Sequence, residues 1–255
     1  MFESIVDKFP SLQRLFFAKH SIEEICIFTG EPKAEAKRRF YNYELTKEEW
    51  TKANPKTDLE IRQFFAKTDA YIYACLRWMA TDPAKYRSLS KLLKFCQKQN
   101  IHSVLDYGAG VGEYCILLAQ HGIDVTYLEV YGEIWRFSES RFKRRNLPIK
   151  MLKSEIDPLE NYDLIVCTEV LHLVKDPPSV VKKLCNALNP NGYLCLTYSF
   201  KQKPGFPQNT DNINYAHTFD NVLSEIDLRL VKQDYFLYFQ KQHAQIYAKN
   251  QETRT

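Results

Sequence analysis

The chain has 255 residues, of which 45% are hydrophobic and 26% charged, and only 8 glycines and 11 prolines, a composition that excludes low complexity and disorder. That length is enough to bury one large domain, or one domain with an appendage. The net charge of +4 divides into 18 Lys and Arg against 13 Asp and Glu over residues 1–100, and 17 against 18 thereafter; so mild a tilt argues against a nucleic-acid partner.

The opening stretch MFESIVDKFPSLQRLFF carries Glu3 and Asp7 where a secretory signal would carry positive charge, and it reads as a helix of the fold. No apolar run approaches the roughly 20 residues of a membrane span, so no membrane partner is expected. Residues 1–98 continue as helix after helix. The apolar residues of Glu31 to Tyr43 and of Asp58 to Met79 recur at three- and four-residue spacing, with punctuation at Pro10, Gly30-Glu31-Pro32, Asn54-Pro55 and Asp82-Pro83. The aromatic residues Phe64, Phe65, Tyr71, Tyr73 and Trp78 fall at helical spacing and are mostly core. Tyr71 and Tyr73 are the candidates for lining a lid over a bound ligand, Tyr215 of a later loop joining them as a candidate substrate contact. The seven cysteines (26, 75, 96, 115, 167, 185 and 195) form no CxxC pair and sit mostly in apolar stretches, which points to a reducing cytoplasm. The six histidines offer no HxH or HExxH, and no metal site is expected.

From about residue 100 short β-prone runs alternate with helical stretches: HSVLDY, DVTYLEV, PIKML, YDLIVCT and GYLCLTY, separated by VGEYCILLAQHG, GEIWRFSESRFKRRN and PPSVVKKLCNAL. Such alternation predicts a doubly wound α/β domain over residues 99–255, preceded by a helical extension. A polar loop, a helix at FDNVLSEI and two strands, near RLVKQDYFLYF and AQIYAK, complete it, the last two close enough to pair antiparallel. The cluster RFKRR at 141–145 reads as a solvated helix face. Asp176-Pro177-Pro178-Ser179 resembles a base-methylating motif, but it lies well beyond its strand and reads as a helix cap.

The sharpest feature is VLDYGAGVGEY, residues 104–114: a strand running through three alternate glycines into a helix. Gly108, Gly110 and Gly112 permit close approach of backbone to a ligand at a helix N-terminus. Glu113 stands where the dinucleotide fingerprint wants its third glycine and would face pyrophosphate badly, and Asp106 suits an amino-bearing ligand. Glu129, at the next strand tip, is placed to accept from ribose hydroxyls.

Together VLDYGAGVGEY, VTYLEV, YDLIVCTEVLHLV and LNPNGYLCL resemble the class I S-adenosylmethionine-dependent methyltransferases over roughly residues 100–250. The resemblance implies a Rossmann-like, seven-stranded, mostly parallel sheet with an antiparallel C-terminal strand, and S-adenosylmethionine as cofactor, with S-adenosylhomocysteine as product. It implies that Asp106, Tyr107, Gly108, Gly110 and Gly112 line the methionine end, that Glu129 holds the ribose, and that Ser154 and Glu155 lie near adenine. It also implies that Cys167 and Thr168 flank the transferred methyl. His217, in the loop after the fifth strand, and His172 are the candidates for a base. The expected reaction is methyl transfer to N or O of a small-molecule acceptor, with residues 1–98 as a selecting lid. The rivals are an RNA or protein acceptor, or a non-catalytic cofactor-binding subunit.

Overall fold

The computed structural model describes residues 10–153, 157–201, 205–226, 228–237 and 243–249. Helices α1 (Pro10–Thr29), α2 (Lys33–Phe40), α3 (Leu45–Ala53), α4 (Asp58–Lys67), α5 (Ala70–Thr81) and α6 (Pro83–Gln99) precede the first strand. They centre on α5, which buries Ile72, Tyr73, Leu76 and Ala80 against Ile22 and Ile25 of α1 and Ala36 and Phe40 of α2. Among the described residues no helix is long and apolar enough to cross a membrane.

The periodicity expected to run unbroken from Asp58 to Met79 is divided between α4 and α5. Thr68 leaves the helical region at φ −74°, ψ 134°, and its hydroxyl accepts from Ala70 N at 3.1 Å while donating to Glu49 at 2.6 Å. A threonine that satisfies the backbone locally in this way competes with helix continuation. The break turns α4 onto the flank of the later domain. There Ala66 lies so close to Gly132 that a Cβ on the glycine would meet the Ala66 carbonyl oxygen at 2.1 Å. The start of α4 is fixed by a capping box, in which Thr57 Oγ1 accepts from Glu60 N at 3.2 Å and Glu60 accepts from Thr57 N at 2.9 Å.

The sheet is formed by β1 (Ser103–Tyr107), β2 (Asp124–Glu129), β3 (Lys150–Lys153), β4 (Tyr162–Cys167), β5 (Leu188–Leu196), β6 (Leu228–Leu237) and β7 (His243–Lys249) in the order β3-β2-β1-β4-β5-β7-β6. β7 alone runs opposite to its neighbours β5 and β6; the remaining strands share one direction. Between them lie α7 (Glu113–Gln120), α8 (Glu133–Arg144), α9 (Pro177–Asn186) and α10 (Phe219–Ser224). The seven-stranded, mostly parallel architecture expected from the sequence is the one observed. β5 begins earlier than GYLCLTY suggests, at Leu188, with a register shift against β4 between Tyr162 and Leu164.

Successive strand residues serve opposite faces, as a period of two requires. Val104, Tyr127, Leu164, Val166 and Cys195 enter the core under α6 and α7, whereas Leu105, Leu128, Ile165, Leu194 and Leu196 enter the core under α9 and α10. Both faces are buried, so the central strands read as apolar runs. Asp106 is the exception, a carboxylate set within β1 and only 2% exposed. Asp176 caps α9 as expected, accepting from Ser179 N at 3.1 Å with Pro177 in the first turn.

RFKRR keeps its expected solvated role at Lys143 and Arg144 but departs from it at Arg141. Arg141 is buried, pairs with Glu24 of α1 at 3.0 Å and with Glu113 of α7 at 2.9 Å, and donates to the Val111 carbonyl. Arg145 reaches the same Glu24 at 2.5 Å. The amphipathic turn of α8 carries these residues inward with Phe137 and Phe142, and α1 supplies the counter-charge that makes burial tolerable.

Candidate active site

Parallel sheets gather ligands at the carboxyl ends of their strands, where the chain reverses its direction of winding. Here that point lies between β1 and β4, and the tips of β1, β2 and β4 bring Asp106, Glu129 and Thr168 to one cavity of about 470 Å³.

The glycine loop is sewn to β2. Gly108 N and Ala109 N both donate to the Leu128 carbonyl, at 2.8 and 3.1 Å, and Gly110 N donates to Glu129 Oε2 at 2.9 Å. Val130 N donates to Glu129 Oε1 at 2.8 Å. The Gly110 carbonyl accepts from the Tyr127 hydroxyl and from Ser138 Oγ. Gly110 takes φ +55°, a left-handed conformation suited to glycine, and a Cβ there would find only Cys75 Sγ, at 3.7 Å. Both oxygens of Glu129 keep lone pairs after accepting one backbone N–H each, enough for two further hydroxyl donors. Burial pushes its carboxyl up, and the two backbone N–H groups oppose that.

Asp106 presents its carboxylate beneath the loop. Burial raises its pKa to about 7, against the Cys115 thiol, which donates at 3.4 Å, and the Lys85 ammonium. A buried carboxylate that is poorly compensated within the protein is chemically matched to a ligand ammonium.

Of the residues expected at the site, Asp106, Tyr107, Gly108, Gly110, Glu129, Thr168 and Tyr71 line this cavity. Gly112 is instead the N-cap of α7, packed so closely under the Phe142 ring that a Cβ would approach it at 2.5 Å. Cys167 is fully buried in the core and stays out of the lining, because β4 turns it to the face opposite Val166. Ser154 and Glu155 lie outside the described residues. Tyr73 lies in the helical core: its hydroxyl donates to Glu31 at 2.7 Å and accepts from Arg39 at 2.9 Å. Tyr215 packs among Phe200 and Phe219 away from the lining. His217 is exposed and His172 half-buried, and neither lines the cavity.

Several lining residues carry no motif of their own. Ile61, Arg62 and Phe65 come from α4, Cys75 and Trp78 from α5, Lys85 from α6, and Leu173, Val174 and Val180 from the segment after β4. Glu169, next to Thr168, is the chemically pointed one. It takes φ +60°, uncommon outside glycine. Thr197 Oγ1 holds it, accepting from Glu169 N at 2.8 Å and donating to its carboxylate at 3.2 Å. Glu113 also lines the cavity and is tied to Arg141.

Comparison with known proteins gives the family. Residues 76–244 match a family described as a methyltransferase domain. The chain belongs to this methyltransferase-domain family. It is similar to the ubiquinone biosynthesis O-methyltransferase of Rickettsia akari, 27% identical over 106 residues that cover 40% of this chain and 42% of that protein. The Bordetella avium protein of that name is 26% identical over 161 residues, 56% of this chain and 65% of the relative. The chain spans about half the length of the curated relatives it matches. Among solved structures, N-methyltransferase NodS from Bradyrhizobium japonicum, in complex with S-adenosyl-L-homocysteine, shares the fold with a TM-score of 0.55 at 18% identity. That alignment covers 77% of this chain and 100% of NodS.

Proposed function

We propose that this methyltransferase moves the methyl group of S-adenosylmethionine to an oxygen or nitrogen of a small, largely apolar acceptor, inside the cavity that the N-terminal helices close. One observation carries this reading: a single cavity is lined both by the glycine loop with Glu129 and by the apolar residues Ile61, Phe65, Trp78, Val174 and Val180. Its volume falls within the range of small-molecule sites, roughly 300–1,000 Å³. The residues fit the cofactor: Glu129 would take the ribose hydroxyls, Asp106 the methionine ammonium, and the backbone at Gly110 leaves the space a side chain would fill. When bound, the sulfonium supplies an already activated methyl.

The chain's own task is alignment and exclusion of water. Residues 58–85 form the outer wall and act as the selecting lid. In place of His217 and His172, Glu169 is the group positioned to accept a proton from an acceptor hydroxyl. Left-handed backbone at a non-glycine residue costs about 1–3 kcal/mol and persists where surrounding contacts enforce it, here those of Thr197. Relatives described as O-methyltransferases favour an oxygen acceptor, and seven cysteines without a disulfide favour a reducing cytoplasm.

The test is methyl transfer from tritiated S-adenosylmethionine to a panel of phenols and amines, with total RNA and protein extract alongside. Label in small molecules is the expected result. Label confined to RNA or protein overturns the acceptor class, and tight cofactor binding without turnover in any arm points to a non-catalytic subunit.

Cofactor affinity is also expected to depend on pH. Asp106 is protonated below about 7 in the free protein, so taking up an ammonium expels that proton. Above that pH the carboxylate is already ionised. Titration calorimetry with S-adenosylhomocysteine should therefore show affinity level near pH 8 and falling by up to about tenfold per unit below 7. An unchanged Kd from pH 6 to 8 would remove Asp106 from contact with the ligand.

A further inference from the structure

The wall of the cavity after β4 is formed by residues 168–176, which make neither helix nor strand. Glu169, Val170, Leu173 and Val174 line the cavity, whereas Leu171 turns into the core under α9 and α10. Leu173 N donates to the Val170 carbonyl at 2.8 Å, closing one turn, and the carbonyls beyond it have no ladder to join. Buried backbone of this kind needs donors from elsewhere. They come from the loop after β5. Asn212, in a short 3₁₀ helix (Thr210–Tyr215), points its side-chain amide at the Val174 carbonyl, 2.7 Å away, and at those of Leu171 and His172, each at the longer 3.4 Å. Asn209, which caps that helix, donates its backbone N–H to the His172 carbonyl at 2.8 Å. Asn212 is 2% exposed and stands behind the wall, outside the cavity lining.

Resting on the acceptor reading above, we infer that Asn212 is a positioning residue for the acceptor, fixing Leu173 and Val174 where they meet its carbon skeleton. The wall has two tethers. Thr197 holds the near end at Glu169, and Asn212 holds the far end at 171–174. The glycine loop bonds instead to the Leu128 carbonyl, Glu129, Tyr127 and Ser138. Loss of the Asn212 amide would therefore free the acceptor wall and leave the cofactor half in place. An asparagine suits the task, since two N–H groups on a short, buried side chain can serve neighbouring carbonyls together. A wall displaced by about 1 Å misaligns a reacting oxygen or nitrogen enough to cost on the order of 100-fold in rate. A small acceptor depends on that contact most, because a bulky one also reaches Ile61 and Phe65 of the outer wall.

The experiment uses Asn212→Leu in the full chain, a change that keeps the branched side-chain shape and removes both donors. Two acceptors are compared, the smallest and the bulkiest that the wild type methylates among the phenols and amines. Their kcat/KM is expected to fall about tenfold for the smaller and no more than about twofold for the bulkier, so that the ratio moves about fivefold. The Kd for S-adenosylhomocysteine is expected to stay within about twofold, which also reports that the variant is folded. In hydrogen exchange of the S-adenosylhomocysteine complex, the amides of 171–175 should exchange faster while those of 104–112 keep their protection. Asn212→Ala is the second variant and should move the same readouts in the same direction; Asn214→Ala, at an exposed neighbour, should move none of them. Equal losses for both acceptors, or a matching loss of S-adenosylhomocysteine affinity, overturn the positioning role and make Asn212 a residue of the fold. Unchanged exchange at 171–175 overturns the tether itself. A wild type that methylates neither phenols nor amines overturns the acceptor reading and the acceptor role of Asn212 with it, while the exchange result decides the tether separately.

Discussion

Gly110→Val should lower affinity for S-adenosylhomocysteine by about 100-fold or more while the chain stays folded. The magnitude has two sources. A β-branched residue at φ +55° is strained by about 1–3 kcal/mol, and relief of that strain swings the Gly110 N–H away from Glu129, to which it donates at 2.9 Å. The branched methyls then occupy the space between the loop and Cys75 that the ligand's approach requires. Each 1.4 kcal/mol is tenfold in affinity, so the strain and the lost contact together reach the stated size. Titration calorimetry checks it, with a thermal melt to establish folding. Normal affinity in the folded variant would mean that the loop is not where the cofactor binds.

The second large effect is on stability. Arg141→Met removes the pairings to Glu24 and Glu113 together with the donor to the Val111 carbonyl. Glu24, only 2% exposed, then retains Arg145 alone. Removing one partner of a buried charge cluster costs about 3–5 kcal/mol, because the remaining charge loses its compensation. At roughly 2–4 °C per kcal/mol for a chain of this size, the melting temperature in scanning calorimetry should fall by on the order of 10 °C. Adding Glu24→Gln should restore part of that loss, since it removes the orphaned carboxylate. A fall of under about 1 kcal/mol would return Arg141 to the solvated face that its sequence suggests. The sign with pH follows from Glu24. Burial pushes its carboxyl up, but Arg141 and Arg145 more than offset this and hold it below its ordinary 4.5. The cluster's contribution is thus present above that pH and is lost as the solution is acidified further.

What is written in consecutive residues is legible in the sequence. The strand, glycine loop and helix of 104–114, the carboxylate ending VTYLEV, and the cap at Asp176 each need only local chemistry to be recognised. What depends on distance along the chain is not legible there. Arg141 and Glu24 stand 117 positions apart, and nothing in RFKRR distinguishes a buried guanidinium from a solvated one. Lys85, Cys75 and Trp78 join the site only because α5 and α6 pack across the strand tips. Tyr71 and Tyr73 looked equivalent, yet two positions on a helix point about 200° apart, and one faces the cavity while the other faces Arg39. His217 stands in a loop whose path no periodicity sets. Glu169 has no sequence signal, because its left-handed backbone is a property of the fold.

The break at Thr68 has a consequence for modularity. The methyltransferase-domain match begins at residue 76, but the wall of the cavity begins at Asp58, and the partner of Arg141 lies at Glu24. The boundary drawn by family resemblance therefore cuts through the working unit. Exchanging the first 75 residues between relatives would replace part of the cavity wall, the proposed acceptor side, and the counter-charge of α8 in one step. Specificity and stability are thereby inherited together, and a graft that changes the first has to re-establish the second.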